Sequence, residues 1–97
     1  MTRAVHYEDR DAFNRDQRPG SFWIGPPNIQ RQNMQHLWFW CPCGCGDRRV
    51  IRVGKRFKPG DPPSWRWNGL TDAPELTPSV NTGCWHGWLT AGVWRPC

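Results

Sequence analysis

Short apolar and aromatic runs, separated by Gly, Pro and polar residues, form the hydrophobic pattern of this chain. Residues 36–40 are an aromatic-rich run that predicts a strand, and residues 48–53 form a second β-type run that ends at Gly54. The Cys, Gly and Pro residues between these runs predict the turn of a hairpin. No segment of about ten residues or more has the 3.6-residue periodicity of an amphipathic helix. The pattern therefore predicts a mainly β protein.

The second half of the chain predicts further short strands. Residues 65–67 alternate aromatic and polar side chains and precede an Asn-Gly turn. Residues 76–80 predict a weaker strand, placed toward a sheet edge because Pro78 cannot donate a hydrogen bond to a ladder. Residues 85–90 and 92–95 predict a closing hairpin. We therefore expect a small antiparallel sheet of short strands, joined by long Pro- and Gly-rich loops.

The first twenty residues differ in character from the rest of the chain. They mix acidic and basic side chains, contain few apolar ones and end in Arg18-Pro19-Gly20. This composition predicts a mobile or loosely docked arm over residues 1–20, followed by a single β domain over residues 21–97. The chain has neither the roughly 18 consecutive apolar residues of a membrane span nor the apolar core of a signal peptide. We therefore expect a cytoplasmic protein with no membrane association.

Composition changes the picture of the core. The 97 residues include 8 Trp, 10 Gly, 10 Pro and 5 Cys, so aliphatic side chains are scarce and a tryptophan-rich core with a metal is expected. Four tryptophans flank the cysteine-rich segments and are expected to pack there: Trp38, Trp40, Trp85 and Trp88. Four others are left open between core and contact surface: Trp23, Trp65, Trp67 and Trp94.

The cysteines predict a metal site. Five thiols in a reducing compartment do not form a disulfide framework, and three of them lie in a Cys-Pro-Cys-Gly-Cys turn. Positions i and i+2 of an extended strand face the same side, so Cys84 and His86 can bind one ion together. We predict one structural Zn²⁺ held by Cys41, Cys43, Cys84 and His86, with Cys45 as the reserve ligand in place of Cys43 or His86. Free buried thiols beside a core histidine are the alternative.

A zinc site closed by four protein ligands stabilises a fold and leaves no position for a substrate. The acidic residues carry no recognisable catalytic motif, so we assign no catalytic residues and expect a protein that is not an enzyme.

A basic run gives the chain a second candidate surface. Thirteen Lys and Arg against eight Asp and Glu give a formal net charge of +5. Six cations are concentrated in one stretch: Arg48, Arg49, Arg52, Lys55, Arg56 and Lys58. Together with Trp65 and Trp67 they can contact a protein partner, or track a nucleic-acid backbone while the indoles stack on bases. A solvated edge strand protected from aggregation is the third interpretation.

Several motifs resemble those of DUF6527, a family of small bacterial and phage proteins of unassigned role. The matching segments are residues 38–46, 76–80, 84–89 and 92–94, within a span of about residues 36–95. Phage members are often labelled ammonia monooxygenase, and nothing in this chain supports that label. Some bacterial relatives lie near ubiquitin-like conjugation genes, which implies an accessory zinc module. The Cys-Pro-Cys-Gly turn is also similar to the SEC-C zinc motif, which supports Cys41 and Cys43 as ligands.

The sequence as a whole predicts a small zinc ribbon-like binding module of phage or bacterial origin, located in the cytoplasm of the bacterial host cell. Its expected partner is an unidentified host or partner protein. Three alternatives stay open: a nucleic-acid-binding protein, an accessory factor of a ubiquitin-like conjugation system, and a metalloenzyme.

Overall fold

Eight short strands and one short helix make up the fold, and the computed structural model describes residues 1–97. The strands are β1 (Thr2–Arg3), β2 (Phe22–Ile24), β3 (Gln35–Trp40), β4 (Arg48–Lys55), β5 (Trp65–Trp67), β6 (Leu76–Asn81), β7 (His86–Thr90) and β8 (Val93–Pro96). Helix α1 (Arg10–Asp16) follows β1, and a 3-10 turn (Ile29–Arg31) precedes β3. The predicted mainly β class is confirmed. No helix of the structure has the length and apolar character needed to cross a membrane.

The strands form one sheet in the order β1-β8-β7-β6-β5-β4-β3-β2. Neighbouring strands run antiparallel, as expected, except for β4 and β5, which pair in parallel. A parallel pair needs a long connection, and the Pro- and Gly-rich loop between β4 and β5 turns the chain back by only two residues, so that β5 begins beside Val53.

The N-terminal segment joins the two edges of this sheet. β1 pairs with β8, while the Phe22 amide of β2 donates to the Val5 carbonyl oxygen at 2.9 Å. The Tyr7 amide returns a hydrogen bond of 2.9 Å to the Phe22 carbonyl oxygen. Both edges are therefore bridged by the same stretch of chain, and the sheet curls into a barrel-like shape.

Residues 1–20, expected as a mobile or loosely docked arm, pack against the sheet. Ala4 is buried within the core cluster. Phe13 of α1 is also buried, and its carbonyl oxygen accepts a 2.9 Å hydrogen bond from the indole of Trp40. Asp9 caps α1 by accepting the Asp11 amide proton. These two buried side chains, together with the backbone hydrogen bonds to β2 and β8, hold a segment whose overall composition is polar.

The core fills the inside of the curled sheet and contains ten buried residues: Ala4, Phe22, Leu37, Phe39, Val53, Trp67, Leu76, Val80, Leu89 and Trp94. The open question about the tryptophans is thereby answered for two of them, since Trp94 is 1 % exposed and Trp67 is 4 % exposed. Trp23 and Trp65 are half-buried. Trp88, which we expected to pack near the cysteines, is instead 43 % exposed on the outer face of β7.

Strand β5 is too short to cover its neighbours. It pairs with β4 only at residues 53–55, and with β6 only at Leu76 and Thr77. Residues 48–52 of β4 are paired only with β3, and residues 80–81 of β6 only with β7. The sheet therefore has a gap, one strand wide, between these two segments.

Candidate metal centre and a neighbouring serine–histidine pair

The connection between β3 and β4 is a tight turn built from cysteines and glycines. The Cys41 amide donates to the Asp47 carbonyl oxygen at 2.9 Å, and the Gly44 amide donates to the Cys41 carbonyl oxygen at 3.1 Å. Gly44 and Gly46 have φ angles of 84° and 85°, in the left-handed region that glycine adopts without a Cβ penalty. The chain therefore folds back on itself and directs its three thiols to one side.

Four thiols from two connections meet at this end of the sheet: Cys41, Cys43, Cys45 and Cys84. The Cys84 Sγ atom lies 3.4 Å from that of Cys41, 3.2 Å from that of Cys43 and 3.4 Å from that of Cys45. All four Sγ atoms lie within 4.8 Å of one another. Tetrahedral thiolates at 2.3 Å from a zinc ion stand about 3.8 Å apart, so this cluster fits one ion. The four cysteines can hold a metal.

Thr82 connects the cluster to the backbone of the β6–β7 bend. Its hydroxyl lies 3.3 Å from Cys41 Sγ and 3.6 Å from Cys84 Sγ, and it accepts the Trp85 amide proton at 3.1 Å. The Thr82 hydroxyl and the neighbouring thiols lower the pKa of Cys84 to about 6. The hydrogen bond between the Cys43 and Cys84 thiols raises the pKa of Cys43 to about 12. Four adjacent thiolates repel one another, so complete deprotonation of the cluster requires a bound cation.

His86, predicted as the fourth ligand, lies elsewhere. Its Nε2 atom is 3.0 Å from Ser79 Oγ, and Cys45, the reserve ligand, supplies the fourth thiol of the cluster. The i and i+2 reasoning requires an extended strand from Cys84 to His86, whereas Cys84 lies in the bend before β7 begins. The bend directs the Cys84 thiol to the cluster and the imidazole to β6.

The Ser79–His86 pair spans two neighbouring antiparallel strands. Val80 pairs with Gly87, and the register of β6 and β7 shifts between Leu76 and Val80. Val80 and Gly87 are buried, whereas Ser79 is half-buried and His86 is exposed, so the pair lies on the outer face of the sheet. No acidic side chain hydrogen-bonds to the imidazole, and the arrangement is a dyad.

Trp65 supports the serine from the adjacent strand. Its indole Nε1 donates a 3.1 Å hydrogen bond to the Ser79 carbonyl oxygen, at the point where the β5–β6 ladder has ended. Sequence reasoning missed the Ser79–His86 pair, because a lone Ser and a lone His carry no spacing signal. The only usable signal was the pairing of the two strands across a short bend.

The basic run does not form one continuous cationic surface. The Arg48 guanidinium lies 5.0 Å from the centre of the Trp38 ring. Arg49 lies 3.6 Å from a neighbouring aspartate, and Arg52 forms a 2.9 Å ion pair with Asp61. Three of the six predicted contact cations are therefore already engaged within the chain.

The rest of the predicted contact surface is divided. Lys55, the last residue of β4 paired with β5, is exposed, as are Arg56 and Lys58 in the loop that follows. Trp65 is half-buried behind Ser79, and Trp67 belongs to the core, so Trp67 cannot serve as a contact residue without unfolding. Sequence reasoning named Trp67 as a possible contact residue and left it open between core and surface, because an alternating Trp-Arg-Trp strand does not reveal which face is buried.

Comparison with known proteins identifies the family. No curated protein and no solved structure matches the chain. A family model described as "Bacterial ubiquitination-like system serine protease (BubE)" matches residues 9–97. The matched residues include both the cysteine cluster and the Ser79–His86 pair. The chain therefore belongs to the BubE family, which is linked to a bacterial ubiquitination-like system.

Proposed function

We propose that this protein is a serine protease of a bacterial ubiquitination-like system, with Ser79 as the nucleophile and His86 as the general base. The observation that carries the proposal is the 3.0 Å contact between Ser79 Oγ and His86 Nε2. Nucleophilic serines need a base within hydrogen-bond reach, and this distance meets that requirement. The description of the matched family as a serine protease supports the same chemistry.

The dyad has a complete proton route. As Ser79 Oγ attacks the carbonyl carbon of the scissile bond, His86 Nε2 takes the hydroxyl proton and a C–O bond forms. The C–N bond then breaks, and His86 gives the proton to the leaving amine, which leaves an acyl ester on Ser79. Water, deprotonated by His86, hydrolyses the ester and restores the free hydroxyl.

We further propose that the metal of the cysteine cluster is one structural zinc ion. Cys41, Cys43, Cys45 and Cys84 supply the four thiolates, the ligand type and number typical of closed zinc sites. When bound, the zinc links the β3–β4 turn to the β6–β7 bend and leaves no open position for a substrate. Because that bend joins the strands that carry Ser79 and His86, the cysteine ligands hold the dyad in register.

A fluorophosphonate tests the proposed dyad without knowledge of the natural substrate. Attack by Ser79 Oγ forms a P–O bond, breaks the P–F bond and releases fluoride, while His86 takes the proton. We expect one adduct per chain by intact mass spectrometry, no adduct on Ser79→Ala, and a rate lowered by about 10²-fold or more for His86→Ala. Thr90→Ala, an exposed hydroxyl change on the same strand as His86, should react like the parent protein. Equal labelling of Ser79→Ala would contradict the proposal.

Under this proposal the protein partner predicted from the sequence is the substrate, and the non-catalytic binding module becomes the alternative. Retained capture of a partner by an unreactive parent protein would favour that alternative. The nucleic-acid interpretation, the phage origin, the cytoplasmic location and the resemblance to DUF6527 stay predictions.

A further inference from the structure

We propose that an extended acidic peptide segment of the substrate inserts as an additional strand between β4 and β6. This inference rests on the proposed protease function, because it describes how a substrate chain reaches Ser79. Peptides often bind proteins by adding a strand to an unpaired sheet edge, where main-chain hydrogen bonds supply affinity and alternate side chains supply specificity.

The gap left by β5 has the form of a strand-binding slot. A cleft of about 660 Å³ lies there, with residues 49–52 of β4 on one side and residues 80–82, the end of β6 and the bend after it, on the other. Residues 48–52 are paired with β3 alone and residues 80–81 with β7 alone, so both edges lack a neighbour. The Trp65 and Arg49 side chains that bound the slot donate to the carbonyl oxygens of Ser79 and Thr82, which are three residues, about 10 Å of strand, apart. The slot therefore accepts about three residues of an extended peptide, in line with β5.

Both faces of the slot combine an arginine with an apolar side chain. On the inner face, Arg49 stands opposite Phe39 and Ile51 opposite Leu37 in the β3–β4 register. On the outer face, Val50 stands opposite Trp38 and Arg52 opposite His36. Because side chains alternate between faces in a strand, the slot fits an extended peptide that carries both acidic and apolar residues.

The charge of the cleft selects an acidic peptide. Its lining includes Arg31, Arg49 and Arg52 and contains no acidic residue. Arg31 makes no ion pair in the structure, and the partner of Arg52 is the exposed carboxylate of Asp61. An exposed ion pair of this kind contributes little to stability, so a substrate carboxylate can replace Asp61 at little cost.

One end of the slot adjoins the dyad. Trp65 lines the cleft, and its indole donates to the Ser79 carbonyl oxygen at 3.1 Å. The opposite end is bridged by Arg49, whose guanidinium donates to the Thr82 carbonyl oxygen. A peptide seated between these two side chains has its Trp65 end beside Ser79, where the scissile bond must lie.

Binding to the full-length Ser79→Ala variant tests this inference separately from catalysis. The probe is a fluorescein-labelled octapeptide of alternating Val and Glu, measured by fluorescence anisotropy. Two control peptides have Lys in place of Glu or N-methylated backbone amides. We expect binding by the alternating acidic peptide alone, with slowed amide exchange at residues 48–52 of the protein.

The protein variants test the contribution of the cations. Arg31→Gln combined with Arg52→Gln should weaken binding about tenfold, while Arg95→Gln on β8 should leave it unchanged. Strand insertion is overturned if the acidic peptide does not bind, if the N-methylated peptide binds equally well, or if an oligonucleotide binds this cleft in preference to the peptide. If the fluorophosphonate labels the protein but the peptide does not bind, strand insertion is wrong and the protease proposal stands. If the peptide binds but no labelling occurs, the protease proposal is wrong and strand insertion stands.

Discussion

Loss of one cysteine ligand should destabilise the whole fold. Cys45 and Cys97 are both exposed free thiols, but only Cys45 belongs to the four-thiol cluster. Cys45→Ser therefore removes a metal ligand, whereas Cys97→Ser makes the same chemical change outside the site. The pair separates the effect of metal binding from that of replacing a thiol by a hydroxyl.

The expected loss of stability follows from the length of the loop that the metal cross-links. Cys41 and Cys84 are 43 positions apart, and a cross-link closing a loop of that size removes unfolded-chain entropy worth about 4 kcal/mol at 25 °C. A domain of about 100 residues loses about 4–8 °C in Tm for each kcal/mol. We therefore expect Cys45→Ser, or chelation of the parent protein, to lower Tm by roughly 15–30 °C.

Thermal unfolding followed by circular dichroism measures this effect, and elemental analysis gives the zinc content of each protein. The parent protein and Cys97→Ser should each contain one zinc per chain and unfold at the same temperature. Cys45→Ser should lack tightly bound zinc, and a chelator should change its Tm little. A cross-linking metal at this cluster is refuted if Cys45→Ser and Cys97→Ser bind equal zinc and unfold together.

Three further predictions concern the core, the dyad and the helix. Trp94→Ala removes a buried indole and should cost about 3–5 kcal/mol in chemical unfolding, while Trp88→Ala, 43 % exposed, should cost under about 1 kcal/mol; equal costs would contradict the assigned core. Trp65→Phe deletes the hydrogen bond to the Ser79 carbonyl oxygen and should slow the bond-forming step of fluorophosphonate labelling without weakening reversible binding of the reagent. Trp85→Phe, a half-buried indole without a hydrogen bond, is its control and should leave both values unchanged. Hydrogen bonds from Tyr7 and Arg15 hold the pKa of the Asp16 carboxyl below its usual value, so the stability they contribute is present above the unfolded pKa and is lost as pH falls through the folded pKa. Tyr7→Phe should raise the pKa of Asp16 in an NMR titration, and an unchanged pKa would refute the contact.

The local features of the fold could be predicted from the sequence, whereas the features that depend on distant contacts could not. The aromatic run at residues 36–40 and the Gly-bounded strand after it identified β3 and β4, because period and turn chemistry are local. The parallel pairing of β4 and β5 depends on how a long loop returns, which no local pattern records. The docking of residues 1–20 depends on two buried apolar residues, Ala4 and Phe13, and on backbone pairing with β2 and β8, which are distant in sequence.

In the candidate site, too, the local features could be predicted from the sequence and those that depend on distant contacts could not. Spacing in the Cys-Pro-Cys-Gly-Cys turn predicted a thiol cluster, but the choice between Cys45 and His86 depended on the bend that contains Cys84. The same bend brings His86 to Ser79, and the register shift in β6 sets the position of Ser79 along that strand relative to His86. Neither effect is encoded by residue spacing, so the dyad emerged only from the folded chain.

The central claim is that Ser79 is the activated nucleophile, and locating the fluorophosphonate adduct tests it most directly. Tandem mass spectrometry of the digested, labelled parent protein gives the modified residue. We expect the adduct on Ser79 alone, with the buried Ser21 and Ser64 unmodified. An unlabelled Ser79, or an adduct at any other residue, would contradict the account.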